Sequence, residues 1–199
     1  MEQTSVQKLA RVLRVLVIIT IVCNLIALLM VPMLSCMYGV MTAGEIAGWG
    51  IDGLSYLFGL ESTPRDYFPF TMMFFYSWLV VWADAYTAVL TVFLWVCGIC
   101  TAFILWQGKR VLDTILKGEP FTLSNAVSLK RAAVCCFVIS GAALVRTVWG
   151  LVYYQSIAPL FTYNALFVPI FLMAGLLCMV MSALFRQAAE LKAENDLTI

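Results

Sequence analysis

Histidine is absent from the sequence. With it go the usual general base, the side chain that titrates near neutral pH and the commonest metal ligand. Haem and histidine-ligated zinc are not expected, on the same ground. Charge is scarce too. Asp, Glu, Lys and Arg make up 12% of the 199 residues, against about 25% in a soluble domain. The net charge of +1 says nothing about nucleic acid by itself, and no direct nucleic-acid contact is expected. No catalytic motif stands out, and no cofactor or metal site is expected.

What replaces charge is apolar length. Val15–Gly44 and Ala85–Gly108 are uncharged, and Ala132–Phe185 carries Arg146 alone. A helix needs about 20 apolar residues to cross a bilayer. The sequence therefore predicts an integral membrane protein with four spans, at residues 15–35, 85–106, 132–154 and 164–185. The remainder is too short for a separate soluble catalytic domain. The apolar stretch after Lys8 is also longer than the core of a signal peptide, which runs about 7–15 residues.

The basic residues orient these spans, because Lys and Arg concentrate on the cytosolic side. Lys8, Arg11 and Arg14 precede the first. Lys109, Arg110, Lys117, Lys130 and Arg131 lie between the second and third, and Arg186 and Lys192 follow the fourth. The outer segment 36–84 holds Arg65 against Glu45, Asp52, Glu61, Asp66 and Asp84. Both termini are thus expected in the cytoplasm. Residues 67–83 are uncharged and rich in aromatics. A fifth span ending there would need a turn at residues 83–86, where no Gly or Pro supports one. The segment is expected to lie at the aromatic-rich interface, with the second helix extending outward through Trp78.

Residues 107–131 have the most ordered polar pattern. Val111, Leu112, Ile115 and Leu116 recur at helical spacing. Gly118 then Pro120 is the usual order at a helix stop, and Thr122 or Ser124 can cap the next helix. The pattern predicts a cytosolic helical hairpin with Glu119, Pro120 and Phe121 at its tip. The fourth helix is expected to run on through residues 186–192, with Arg186 and Glu190 one turn apart and paired.

Gly118–Glu119–Pro120–Phe121–Thr122, then Asn125 and Leu129–Lys130–Arg131, resembles the G-x-P-F-[ST]…N…L-[KR]-R loop of the YoaS-like family of small bacterial membrane proteins. Glu190–Leu191–Lys192 with Glu194–Asn195–Asp196–Leu197–Thr198–Ile199 is similar to that family's E-L-[KR]-x-E-N-[DE]-L-T-[VI] ending. The resemblance covers about Trp106–Ile199. It implies a domain of unknown function with no assigned catalytic residues. Members are often encoded beside a small helix-turn-helix regulator, which implies a cytosolic protein regulator as partner.

Few residues offer chemistry. Arg146 lies about 14 residues into the third span, roughly 21 Å from the inner interface at 1.5 Å per residue. It has three readings: snorkelling to outer head groups, an ion pair with Asp84, or a ligand site facing a polar cavity. Cys97 and Cys100 form a CxxC, and Cys135 and Cys136 start the third span at comparable depth. In lipid such cysteines pack as small apolar groups, with soft-metal binding and redox work as the alternatives. Gly44 and Gly48 form a GxxxG, although glycines there also mark turns. Asn24 and Asn164 can bond across helices, and Pro32 and Pro169 can kink theirs.

The expected architecture is all-α, a four-transmembrane-helix bundle with the cytosolic hairpin between the second and third spans. The expected role is non-enzymatic. Contact with membrane lipid is joined by protein docking through Glu119, Pro120, Phe121, Glu194, Asn195, Asp196 and Leu197. A small transporter, exporter or immunity subunit using Arg146 and Asp84 is the alternative. The oligomeric state is not readable.

Overall fold

The computed structural model describes residues 5–37, 67–119 and 121–196. They form five α-helices and one short 3-10 turn, with no strand among the described residues. The helices are α1 (Ser5–Met37), α2 (Tyr67–Val80), α3 (Ala85–Leu116), α4 (Leu123–Tyr154) and α5 (Tyr163–Asp196), with the 3-10 turn at Ala158–Phe161. Four of them, α1, α3, α4 and α5, are long and apolar enough to cross a membrane. These four carry the expected spans and overrun them, most of all at the ends rich in Lys and Arg. The GxxxG at Gly44 and Gly48, most of the outer segment, Pro120 and Leu197 lie outside the described residues.

The chain divides into two compact units, Ala27–Trp95 and Met1–Ile26 with Val96–Ile199. In the first, α2 has 14 residues. At 1.5 Å per residue it measures roughly 21 Å, short of a ~30 Å hydrocarbon layer. The second span does not extend through Trp78 as one helix. A turn at residues 81–84 separates α2 from α3. Sequence reasoning wanted Gly or Pro there, but Asp84 does the work. Its carboxylate accepts from the Thr87 N–H at 3.0 Å, and its carbonyl accepts from Ala88 N. A capping Asp starts a helix by satisfying donors that have no intrahelical partner.

Pro32 has a consequence in the same unit. Lacking an N–H, it leaves the Leu28 carbonyl without its usual intrahelical donor. The indole N–H of Trp95 donates to that oxygen at 3.3 Å. Trp95 is itself held between Trp78, at 5.7 Å between ring centroids, and Trp82, at 6.2 Å.

In the second unit α4 is the most buried of the long helices. Its inward face is small: Ala126, Ala133, Ser140 and Thr147 recur every two turns, with Cys136 and Ala143 between. Small residues let helix backbones approach closely. α5 packs antiparallel on this face. Ser182 Oγ donates to Ala126 O at 2.7 Å, and Ser140 Oγ to Val168 O at 2.9 Å. Between these bonds the Phe137 ring lies on Gly175, so tightly that a Cβ at 175 would sit 2.8 Å from Phe137 Cε1. α4 ends where expected, at Tyr154, with Gln155 in the left-handed region (φ 46°).

Two measurements check this account. Gly175→Ala should lower stability in detergent by about 1–3 kcal/mol through overpacking, and Phe137→Leu in the same chain should recover much of the loss. Trp95→Phe should cost about 1–3 kcal/mol by leaving the Leu28 carbonyl unmet. In a Pro32→Ala background, where residue 32 supplies its own N–H, the same change should cost distinctly less.

Candidate functional site

The polar residues of the second unit gather at two levels. One is where α1 begins, α3 ends and α4 begins. Arg14 Nε stands 2.8 Å from Asp113 Oδ1, and Lys109 Nζ is 3.6 Å from Asp113 Oδ2. The Arg14 contact is an ion pair rather than an aligned hydrogen bond. Both partners are partly exposed, so each pair contributes at most about 1 kcal/mol. Their value is positional, since they tie the basic start of α1 to the basic end of α3.

The turn between α3 and α4 is built as its residues dictate. Gly118 adopts φ +83°, a conformation open to Gly at little cost. The N–H groups of Gly118 and Glu119 then reach back to the carbonyls of Ile115 and Thr114, at 3.0 and 3.1 Å. This is the paired bonding of a Schellman end. Thr122 is the N-cap of α4 and accepts from Asn125 N. The buried Asn125 side chain donates to Thr114 Oγ1 at 2.6 Å, joining α3 to α4. Of the motif residues, Gly118, Thr122 and Asn125 therefore set the turn, while Glu119 and Phe121 remain exposed. Phe121 lies against Phe185 of α5, with 5.6 Å between centroids.

α5 continues past this contact as one helix to Asp196. Arg186 Nε donates to Glu190 Oε1 at 2.9 Å, the expected pairing. Both are largely exposed, as are Leu191, Glu194 and Asn195. Tip and tail thus belong to neighbouring parts of one surface through Phe121 and Phe185.

The other level holds Arg146. Its Nη1 donates to Asn164 Oδ1 at 3.0 Å, across α4 and α5. Asp84 belongs to the first unit, where its carboxylate caps α3. The expectation that Asn24 bonds across helices is met: its Nδ2 donates to Gly98 O at 3.1 Å, linking α1 to α3.

The cysteines are all free thiols. Cys100 meets Cys135 across α3 and α4, and Cys136 meets Cys178 across α4 and α5. Cys178 was not part of the group picked out by spacing. Among the described residues, no group of three or more Cys, Asp or Glu side chains is placed to hold a metal ion. The thiols fill the small-residue seams of α4, as Ala and Ser do elsewhere on that helix.

Asn164→Leu should destabilise the protein by about 1–3 kcal/mol, because it removes an acceptor that a charged donor uses. Asn164→Asp, which keeps an acceptor and adds charge, should be at least as stable as the wild type. Unfolding midpoints in mild detergent read both.

No curated protein and no solved structure matches the chain. A family model, a protein of unknown function (DUF2975), matches residues 67–199. That span begins at α2 and so reaches further towards the N-terminus than the resemblance carried by the 118–131 turn and the tail. With the larger part of its length matched, the chain belongs to the DUF2975 family of proteins of unknown function.

Proposed function

We propose that this protein is a four-span integral membrane protein of the bacterial plasma membrane that works as a non-enzymatic docking platform. Its two termini and the 107–131 hairpin lie in the cytoplasm. The docking surface is formed by the exposed tip, Glu119 with Phe121, and by the exposed end of α5, including Glu194 and Asn195. Pro120, Asp196 and Leu197 complete the two segments in sequence. The partner is a cytosolic protein regulator, as the resemblance implies.

One observation carries this reading. The Arg14–Asp113 pair, the Thr114–Asn125 bond and the Phe121–Phe185 contact gather the basic ends of four helices at one end of the second unit. Basic residues collected on one side mark the cytosolic face. Phe121 is 49% exposed and Leu191 61% exposed, apolar anchors of the kind that interfaces bury. The transporter reading draws on Arg146 and its proposed ion pair with Asp84. The bond from Arg146 to Asn164 favours a structural role for that arginine.

The test begins with topology. Single cysteines placed at Glu119 and Glu194, in a chain cleared of its own, should react with a membrane-impermeant maleimide in inverted vesicles and stay unlabelled in intact cells. Labelling from outside reverses the orientation and removes the docking surface. Deleting residues 194–199 should then abolish recruitment of the cytosolic regulator to membranes. Unchanged recruitment takes the tail out of the proposal.

A further inference from the structure

The basic end of the second unit holds more charge than its ion pairs consume. Asp113 is shared by Arg14 and Lys109, while Arg110, Lys130 and Arg131 are exposed. Two of these share a setting. At about 100° per residue, Arg110 falls in line with Phe103, Trp106 and Lys117, all exposed on α3. Arg131 falls in line with Val127, Val134 and Val138, all exposed on α4. The Thr114–Asn125 bond and the Cys100–Cys135 contact fix α3 and α4 as antiparallel neighbours. In that register Arg110 and Arg131 come within one helical turn of the same height. The helical wheel turns both stripes to the same side of the pair.

Each stripe changes from apolar to basic in the same direction. Phe103 and Trp106 lead to Arg110 on α3, and Val138 and Val134 lead to Arg131 on α4. Trp106 is 53% exposed and sits where an amphipathic indole meets the head-group level. The Lys109 ammonium lies over its ring at 5.2 Å and so is partly engaged already. Guanidinium groups hold phosphate oxygens through two parallel N–H donors.

We infer that Arg110 and Arg131 form a site for the phosphodiester of an anionic phospholipid, with an acyl chain lying along Phe103, Trp106, Val134 and Val138. The apolar track below the arginines is what selects a lipid over a soluble phosphate. The site rests on the reading that these helices span a bilayer. It adds a defined seat for one class of lipid at the cytosolic leaflet.

Spin-labelled lipids test it on the full-length chain in phosphatidylcholine vesicles. Labelled phosphatidylglycerol should associate about fivefold or more in preference to labelled phosphatidylcholine, the scale expected for a base at an anionic head group. Arg110→Gln with Arg131→Gln should bring that ratio close to unity. Lys8→Gln with Arg11→Gln removes the same charge elsewhere and should leave the ratio intact. Millimolar inorganic phosphate should not displace the lipid. No preference in the wild type, an unchanged ratio in the arginine double variant, or an equal loss in the lysine–arginine control would overturn the site. Displacement by phosphate would assign the arginines to a soluble anion instead. Absence of any motionally restricted lipid, of either kind, would sink the bilayer reading itself and this site with it.

Discussion

A polar group inside an apolar layer must find its partner within the protein, because nothing around it will bond. Several of the specific contacts between these long apolar helices answer that need, while Thr91 Oγ1 and Gln107 Oε1 stay buried without a hydrogen-bond partner among the described residues. Asn24 reaches the Gly98 carbonyl, Ser140 the Val168 carbonyl and Ser182 the Ala126 carbonyl. Each takes a backbone oxygen on another helix, so each bond also sets how two helices align. Pro32 makes the same point from the other side. It leaves one carbonyl vacant, and the Trp95 indole meets that oxygen. Interhelical bonds of this sort average about 0.6 kcal/mol, which is small against the whole, and each tilts one register over its neighbours by a factor of about three.

The central helix works by subtraction. Its buried face is mostly Ala, Ser, Thr and Cys, with Asn125 and Ile139 the larger exceptions, and Phe137 lies in the space that Gly175 leaves on α5. Cys100 and Cys135, and Cys136 and Cys178, meet across the seams of this helix as side chains of similarly small volume. The stretch 118–131 separates in the same manner into residues that shape the turn and residues that meet the outside. Gly118, Thr122 and Asn125 do the first, and Glu119 and Phe121 do the second.

Much of this was legible beforehand. The start of α3 at Ala85 follows from Asp84, the last charge before an uncharged run, and α4 ends at Tyr154, the expected close of the third span. The end at Gly118, the cap at Thr122 and the Arg186–Glu190 pair follow from local rules that need no tertiary information. Three things escaped. The turn before α3 uses a capping Asp where Gly or Pro was sought, and the signal was Asp84 itself, three residues before Thr87. The small-residue seam on α4 was not picked out. Its period of two turns was visible but blended into a generally apolar run. The bond from Arg146 to Asn164 was not foreseen. A neutral amide oxygen on the next helix accepts from the guanidinium, and sequence distance gives no hint of which acceptor comes within reach.

The fit of Phe137 against Gly175 has a mechanical side. A slide of α5 along α4 by one turn would bring Phe171 or Met179 up to that ring, where the vacancy left by a missing side chain no longer exists. Sliding α5 along α4 in either direction therefore costs a clash at this ring, so an axial pull on α5 is felt first by Phe137 and through it by α4.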